Sequence, residues 1–310
     1  MADVATDERV QGLDLEARVV RYADLRPCYN AFIDSRTPGS ESKENFTIIG
    51  PGVSENPDQH VHIPEPHGFN IGGARQPPEC ANSQHSHDTA EVFVVHAGHW
   101  RFDFGEHGDD AHIKAGPGDV VSFPIHAFRG FRNIGDRPGF LWSVLGGDDP
   151  GRVTWAPRVF ELAKDYGLML LDNGALIDTA AGQVPPAGTA PLTPTSRAQI
   201  EALRVMRPQD EDEVLWRAPT TRSAGETLVI GNGGALPPAD GFTLSQIVVE
   251  AGGAIDGHGE VVFVQEGDVE VAVDGRTVQL GVGDTMTIPA GLSPLYASES
   301  GATLIAVRRT

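Results

Sequence analysis

Residues 84–98, QHSHDTAEVFVVHAG, join a polar segment to a run of β-forming residues that ends at a glycine. His85 and His87 stand two positions apart, and Glu91 follows four positions after the second histidine. Because alternate side chains of an extended strand face the same side, both imidazoles would point into one cavity, and a short kink would bring the carboxylate to them. Two imidazoles and one carboxylate leave coordination positions open on a metal, as non-heme Fe(II) oxygenases use. The alternative is a chance pair of histidines that caps backbone groups where the strand begins.

A second histidine pair with the same spacing lies upstream, at His60 and His62 in QHVHIPEPHG (residues 59–68). Pro66 stands four positions after this pair in place of a carboxylate, and no β-forming run with a closing glycine follows. We therefore interpret His60 and His62 as polar loop residues that at most touch the entrance of a site.

Comparison of the chain with itself indicates a duplication. EVFVVHAG (residues 91–98) returns as EVVFVQEG (residues 260–267), and GDVVSFP (residues 118–124) returns as GDTMTIP (residues 283–289). The two elements recur in the same order at nearly the same separation, which is typical of a duplicated domain.

Short β-forming runs separated by glycine and proline predict an all-β fold. The 310 residues include 37 glycines and 23 prolines, which are spread between the apolar runs rather than concentrated. This spacing is typical of sandwiches and small barrels with tight turns. The predicted strands are 91–96, 99–104, 119–123, 243–250, 261–265, 268–273 and 284–288.

Between the two sets of strands, the sequence predicts two helices and a linker. Residues 156–167 have helical spacing of apolar side chains and end at a glycine. Residues 178–196 are rich in Pro, Ala, Thr and Gly and are predicted to form a linker that buries little surface. Residues 196–206 are predicted to form a short helix with Ser196 as its N-cap.

These features predict two domains. Residues 1–155 would form an N-terminal barrel with an extension and the metal site, residues 156–206 the helical segment and linker, and residues 207–310 a C-terminal barrel. A chain of 310 residues is long enough for two domains that each bury a core.

Charge and hydropathy exclude several classes of function. The formal charge is −20, with 43 acidic residues against 23 Lys and Arg, so the chain lacks the clustered positive charge that phosphate backbones require. No stretch of 18 uncharged apolar residues and no signal-peptide pattern occurs. We therefore expect no nucleic-acid or membrane partner and a cytoplasmic location.

Residues 84–98 resemble the first motif of the cupin superfamily. That motif reads H-x-H, three or four residues, Glu, six residues, Gly, and every gap fits. The matching positions are His85, His87, Glu91 and Gly98. The leading glycine of the motif falls near Glu79 and is absent.

Residues 118–133, GDVVSFPIHAFRGFRN, have the spacing of the second cupin motif, which is Gly, five residues, Pro-x-Gly, two residues, His, three residues, Asn. The positions that agree are Gly118, Pro124 and Asn133. His126 stands where the motif has its second glycine, and Arg129 stands where the fourth ligand histidine belongs.

These two departures leave the ligand set and the roles of both residues open. Arginine is not deprotonated in proteins, so we do not expect Arg129 to bind a metal. Either His126 reaches the metal from a rearranged turn or the site has three protein ligands, and we favour three because the turn spacing is unchanged. Arg129 would then hold a substrate carboxylate or enolate, or form a structural ion pair with an acid. His126 is a candidate base facing the substrate or a residue behind the ligands.

The second half of the chain departs further from the motifs. Aligned at Glu260, the two histidine positions of the first motif hold Ala254 and Asp256, and Pro294 stands at the histidine of the second motif. His258 lies nearby in a register that does not match. We expect this copy to have lost its metal and to serve packing or dimer contacts.

The resemblance covers about residues 65–145 and 240–308, and it implies a bicupin, that is, two jelly-roll-like double-stranded β-helix barrels joined by a short helical segment and linker. It implies His85, His87 and Glu91 as metal ligands in the first barrel.

The function that we favour from the sequence is an Fe(II)-dependent dioxygenase for a small phenolic or diketone-like substrate, with O2 as co-substrate and His126 and Arg129 as catalytic residues. Mn, Ni, Zn or Cu are alternative metals. One rival is a non-oxidative isomerase, cyclase or decarboxylase that uses a divalent metal as a Lewis acid, and another is a binding protein without turnover. Partners would be a small, anionic substrate and a second copy of the chain, as a homodimer or a higher oligomer.

Overall fold

The computed structural model describes residues 13–310, in which β-strands dominate and helices are short. In chain order, the strands before residue 200 are β1 (Val19–Val20), β2 (Glu44–Ile49), β3 (Val61–Ile63), β4 (Phe69–Gln76), β5 (Ala81–His87), β6 (Glu91–Ala97), β7 (Trp100–Phe104), β8 (Ala111–Ala115), β9 (Val120–Phe123), β10 (Arg129–Asn133), β11 (Gly139–Gly146), β12 (Val153–Trp155), β13 (Leu168–Leu170) and β14 (Leu176–Asp178). The strands after residue 200 are β15 (Leu215–Trp216), β16 (Gly225–Ile230), β17 (Phe242–Val249), β18 (Gly253–Asp256), β19 (Val261–Gly267), β20 (Val269–Val273), β21 (Arg276–Leu280), β22 (Thr285–Thr287), β23 (Leu295–Ser298) and β24 (Ala302–Arg309). The α-helices are α1 (Pro157–Asp165), α2 (Arg197–Glu201) and α3 (Glu211–Val214), and single 3-10 turns lie at Glu16–Arg18, Tyr22–Asp24 and Pro208–Asp210.

The chain divides into two compact units whose bounds differ from the predicted domains. The first unit comprises Arg26–Ala218 and Leu236–Gly241. The second unit comprises the described residues up to Leu25, together with Pro219–Ala235 and Phe242–Thr310. The predicted linker therefore lies inside the first unit instead of forming a boundary.

Apolar side chains beyond the predicted linker explain this difference. Met206, Val214 and Leu215 are buried in a core cluster of the first unit, and β15 pairs with β9 of that unit through Leu215 and Val121. The N-terminal segment joins the second unit in the same way, because β1 pairs antiparallel with β22.

The first unit contains a sandwich of two sheets, and β13 and β14 pair separately as a two-stranded sheet. Its seven-stranded sheet has the order β15-β9-β6-β11-β4-β2-β3, and its five-stranded sheet has the order β12-β5-β10-β7-β8. The apolar residues of the two sheets form one core that includes Phe93 and Leu141 from the larger sheet and Trp100, Phe102 and Phe131 from the smaller. Alternation of buried and partly exposed positions along β7 produces the inward aromatic row.

The second unit repeats this strand order. Its sheets are β1-β22-β19-β24-β17-β16 and β18-β23-β20-β21. The order β9-β6-β11-β4-β2 of the first unit corresponds to β22-β19-β24-β17-β16, and β5-β10-β7-β8 corresponds to β18-β23-β20-β21. The predicted duplication and the all-β fold are confirmed at the level of topology.

The helices agree in place with the prediction, but one is shorter. Helix α1 spans Pro157–Asp165, inside the predicted range. Helix α2 begins after Ser196, whose side chain accepts a hydrogen bond from the backbone of Gln199, and it ends at Glu201 rather than near residue 206. Among the described residues, no helix has the length and apolar character needed to span a membrane.

Candidate metal centre

Strand β5 positions the two histidines. His85 and His87 lie at its carboxyl end, where both side chains are buried. The strand is held on both sides, because His85 pairs with Arg129 of β10 and with Trp155 of β12. The two imidazole rings are 5.1 Å apart between centroids and lie nearly perpendicular to one another, at 88°. The alternation of the strand thus places both rings on one side, as the spacing predicted.

Glu91 joins them from the other sheet. It is the first residue of β6, and the bend between β5 and β6 returns the chain so that its carboxylate meets the histidines. One donor atom from each of His85, His87 and Glu91 lies within 4.8 Å of the others. The Nε2 atom of His87 is 3.6 Å from Oε1 of Glu91. In residues 13–310 this is the one group of three such donors that could hold a metal ion.

The protonation state of the histidines suits metal binding. Nδ1 of His85 is 2.7 Å from the carbonyl oxygen of Ser83, a contact that fixes the proton on Nδ1 and leaves Nε2 free as a donor. Burial lowers the pKa of both His85 and His87 well below the usual value, and the positive charge of Arg129 lowers it further. Nδ1 of His87 is buried without a hydrogen-bond partner among the described residues. Neutral imidazoles beside a carboxylate fit a divalent transition metal.

Arg129 faces Glu91 and not the cavity. Its Nη2 and Nε atoms donate to Oε2 of Glu91 at 2.5 and 3.1 Å, and Nη1 donates to the carbonyl oxygen of Ala127 at 3.3 Å. The guanidinium also lies over the ring of Phe123, 5.3 Å from its centroid. This geometry corresponds to a structural ion pair, and it leaves Oε1 of Glu91 on the side of His87.

The structure does not bring His126 to the cluster. Its backbone has a φ of 58°, the left-handed conformation that a glycine would adopt at this motif position. The backbone N–H donates to the carbonyl oxygen of His87, while the exposed imidazole points to Asp88, with Nε2 3.2 Å from Oδ1. Neither the role of a fourth ligand nor that of a base in the cavity is supported by this placement.

A cavity adjoins the three candidate ligands. Its volume is about 60 Å³. Aromatic and aliphatic side chains form much of the wall, and amides and hydroxyls form the rest. Its lining includes Phe32, Phe46, Ile71, Phe93, Phe131, Leu145, Val153 and Trp155, with Asn45, Thr47, Gln59, Asn70, Asn82 and Ser143. No Lys or Arg of the described chain is among its lining residues.

Several residues that the sequence analysis did not identify pack against His85 or form buried hydrogen bonds and ion pairs next to it. The ring of Trp155 lies 5.2 Å from that of His85, and its Nε1 donates to Oε1 of the buried Glu55 at 2.6 Å. Lys43 forms a fully buried ion pair with Asp34 and donates to Oδ1 of Asn82 at 2.7 Å. These residues lie far apart in the chain, so no local spacing in the sequence indicates them.

The other candidate positions lie apart from this cluster. In the second unit, Ala254, Asp256 and His258 are exposed, while Tyr296 is buried in the hydrophobic core. The residues of the second unit that the structure describes contain no group of three candidate donors. In the first unit, His60 and His62 contact each other and neither lines the cavity.

Two family models match the chain, one in each unit. The model described as "Cupin domain" matches residues 74–145, and the model described as "EutQ-like cupin domain" matches residues 238–306. No curated protein sequence matches the chain.

Solved structures of oxalate decarboxylases have a similar fold. The formate complex of the Lactobacillus farciminis enzyme is 12% identical, with a TM-score of 0.57 over 95% of this chain and 86% of that one. The Bacillus subtilis enzyme at pH 4.6 is 12% identical, with a TM-score of 0.57 over 94% and 76% of the two chains. A structure of the Bacillus subtilis enzyme concerned with its Mn(II) centres is 13% identical, with a TM-score of 0.53 over 94% and 77%. With a cupin domain matched in each half and the same strand order in both units, the protein is a bicupin of the cupin superfamily.

Proposed function

We propose that the protein is a metal-dependent enzyme that converts a small carboxylate-bearing substrate without oxygen chemistry, as a decarboxylase, isomerase or cyclase does. The reaction would take place in the cavity beside His85, His87 and Glu91. This class was the alternative in the sequence analysis, and the size of the cavity is the observation that favours it.

The cavity limits the substrate. An apolar cavity that accepts a benzene ring has a volume of about 150 Å³. The cavity of this chain has about 60 Å³, which suits a short organic acid better than a phenolic ring. The structures of similar fold include a formate complex of an oxalate decarboxylase, a protein that acts on acids of this size. At 12% identity the similarity extends to the fold, so the substrate class rests on the cavity itself.

His85, His87 and Glu91 would hold the metal. A divalent ion bound there would act as a Lewis acid that polarises a carboxylate or carbonyl oxygen of the substrate. Mn²⁺ is our first choice because the Bacillus subtilis oxalate decarboxylase, which has a similar fold, contains Mn(II) centres. Fe²⁺, Ni²⁺, Zn²⁺ and Cu²⁺ also suit the same donors.

The remaining residues of the site would orient the ligands and exclude water. Arg129 holds Oε2 of Glu91 and so presents Oε1 towards His87. Trp155 packs against His85 and forms part of the cavity wall. Apolar side chains in the cavity wall lower the local dielectric constant, which strengthens the electrostatic interaction between a bound anion and the groups that face it.

A second candidate is an Fe(II) dioxygenase. The observation that favours it is that Arg129 stands in the place of a fourth ligand histidine and pairs with Glu91, so three protein donors remain. Three donors would leave room for both a bidentate substrate and O2.

The test measures substrate consumption by chromatography, together with CO2 release and O2 uptake, for the protein loaded separately with Mn²⁺ and Fe²⁺. The substrates are short mono- and dicarboxylic acids together with phenols and diketones. We expect turnover of a short acid that continues under anaerobic conditions and is lost in His85→Ala. The matched variant His60→Ala should keep the activity. Turnover of phenols or diketones that requires O2 would support the dioxygenase, and tight ligand binding without turnover would support a binding protein.

A further inference from the structure

One wall of the cavity is formed by polar residues of β2 and the loop that follows it. Asn45 and Thr47 are two positions apart on β2, so their side chains lie on the same face of the strand, and both line the cavity. Gln59 lies in the loop between β2 and β3 and also lines the cavity. Its Nε2 donates to Oγ1 of Thr47, which fixes the orientation of the amide.

Two other amides of the cavity are held by the protein itself. Oδ1 of Asn70 accepts from the backbone of Gly52 at 3.0 Å, and its Nδ2 donates to the carbonyl oxygen of Gly147 at 2.7 Å. Oδ1 of Asn82 accepts from Lys43 at 2.7 Å. The oxygens of both amides are thus occupied by the protein, and Nδ2 of Asn82 lies 3.4 Å from Nδ1 of His85.

Asn45 and Gln59 differ from them. Nδ2 of Asn45 and Oε1 of Gln59 are buried and have no hydrogen-bond partner among the described residues. Buried polar atoms in folded proteins are nearly always paired, and an unpaired one needs an explanation such as a ligand. Both residues that carry these free atoms line the same cavity as the candidate metal ligands, and a small side-chain rotation would turn the free donor and the free acceptor towards a bound ligand.

The charges around the cavity restrict what these atoms can bind. The two buried cations nearest the site are already paired, Arg129 with Glu91 and Lys43 with Asp34. A substrate anion would therefore find its counter-charge only at the metal. A second carboxylate on the same substrate would be buried without compensation, which is strongly unfavourable.

We propose that Asn45 and Gln59 are specificity-determining residues that bind a neutral polar group of the substrate. A carboxamide would accept a hydrogen bond from Nδ2 of Asn45 and donate one to Oε1 of Gln59, and a hydroxyl group would satisfy the same pair. The substrate of the proposed metal-dependent reaction, on which this inference rests, is then a small acid with one carboxylate and one neutral hydrogen-bonding group, and not a dicarboxylate.

Calorimetric titration of the metal-loaded protein tests this inference with acids of matched length. The probes are oxalate and oxamate, malonate and malonamate, and succinate and succinamate, in which the second acid differs from the first by a carboxamide in place of one carboxylate. The variants are Asn45→Leu and Gln59→Leu, which remove the free atoms and keep similar volume. Metal content and unfolding temperature are measured for each protein.

We expect at least one monoamide to bind the wild type, and each variant to weaken that binding by about tenfold while the matching dicarboxylate changes little. Asn45→Leu should not lower the unfolding temperature, because it removes a buried donor that has no partner. Equal effects of the variants on both members of every pair, or no binding of any monoamide to the metal-loaded wild type, would overturn the inference and leave the proposed metal enzyme standing. A protein that takes up no metal would instead remove the proposed function.

Discussion

Arg129 stands where the resemblance places a ligand histidine, and its contacts give it a different role. The guanidinium of Arg129 and the carboxylate of Glu91 are both buried. They form an ion pair in which Nε and Nη2 of Arg129 donate to the same oxygen, Oε2 of Glu91. A buried carboxylate without a partner is strongly unfavourable, and Arg129 supplies the counter-charge for Glu91 in the protein interior. This ion pair keeps one oxygen of Glu91 fixed and the other available beside His87.

Replacement of Arg129 by Met should therefore destabilise the metal-free protein by about 3–5 kcal/mol, because it leaves Glu91 buried and unpaired. The matched control is Arg132→Met on the same strand, since Arg132 is 47% exposed and its contact with Glu79 is 3.5 Å long. We expect the control to change stability by about 0.5 kcal/mol or less. Urea unfolding of both variants measures the difference, and similar losses in the two would contradict the structural role of Arg129.

Glu55 should make the stability of the protein depend on pH. Burial raises its pKa from 4.5 to about 8, although hydrogen bonds from Trp155 and Ile33 act in the opposite direction. The folded protein therefore keeps the proton at pH values where the unfolded chain has lost it. The contribution of Glu55 to stability is present below about pH 4.5 and is lost as the pH rises towards 8, by up to about 1.4 kcal/mol per pH unit.

Glu55→Gln should remove this pH-dependent loss, since the amide stays neutral at each of these pH values. Its single oxygen keeps only one of the two hydrogen bonds that Trp155 and Ile33 donate to Glu55, which lowers stability equally at every pH. Urea unfolding at pH 5, 6.5 and 8 should show the variant gaining stability relative to the wild type as the pH rises. The control is Glu79→Gln, whose side chain is 73% exposed and should leave the pH profile unchanged. Parallel profiles of Glu55→Gln and wild type would show that Glu55 is ionised in the folded protein.

Among the elements, the contact of β5 with β10 fixes the position of His85. The register shifts between Arg129 and Phe131, where the chain of β5 bulges. Gly130 lies at this shift, and a Cβ atom there would come within 1.9 Å of Oε1 of Gln84 and 2.7 Å of the backbone oxygen of Asn82. The absence of a side chain at Gly130 thus permits the approach of the strand that carries both histidines.

Gly130→Ala should lower stability by about 1–3 kcal/mol through overpacking and should reduce metal uptake, because β5 must shift. Gly116→Ala is the matched control, since the nearest atom to its Cβ would be 3.6 Å away, on His99. Urea unfolding and metal content measure the two effects. Normal metal uptake in Gly130→Ala would show that the approach of β10 does not position the histidines.

The sequence was sufficient to predict the strands whose side chains alternate or are strongly β-forming, such as β6 and β7. It was insufficient for β4, which has the sequence FNIGGARQ. Its Gly72 and Gly73 have low β-propensity, and they are required because a Cβ at Gly73 would come within 2.7 Å of the ring of Phe140. That requirement arises from packing between strands, which is not visible in local patterns.

In the candidate site too, local sequence patterns predicted some features, and contacts between distant parts of the chain determine the others. The spacing of His85, His87 and Glu91 is local, and it was sufficient to predict that the three meet, while their binding of a metal stays a prediction. The sequence did not indicate Asn45 or Trp155, because they reach the cavity from strands far apart in the chain. The outward direction of His126 depends on a left-handed backbone conformation that no spacing rule anticipates.

The two units share one strand order but differ in their interiors. In the first unit, the candidate metal ligands and a cavity lie between the sheets beside the aromatic core. In the second unit, valines and leucines together with Tyr296 form the core, and the positions equivalent to the first two ligands are exposed. The duplicated fold would therefore carry a single metal centre, in the first unit.

Metal content per chain tests this account most directly. Elemental analysis of protein purified without oxygen and supplied in turn with Mn²⁺, Fe²⁺, Ni²⁺ and Zn²⁺ should find about one ion per chain in the wild type. The double variant His60→Ala/His62→Ala should keep that ion, and His85→Ala/His87→Ala should lose it. Retention of metal in His85→Ala/His87→Ala, or no metal in the wild type under any of these conditions, would contradict the assignment of the centre to His85, His87 and Glu91.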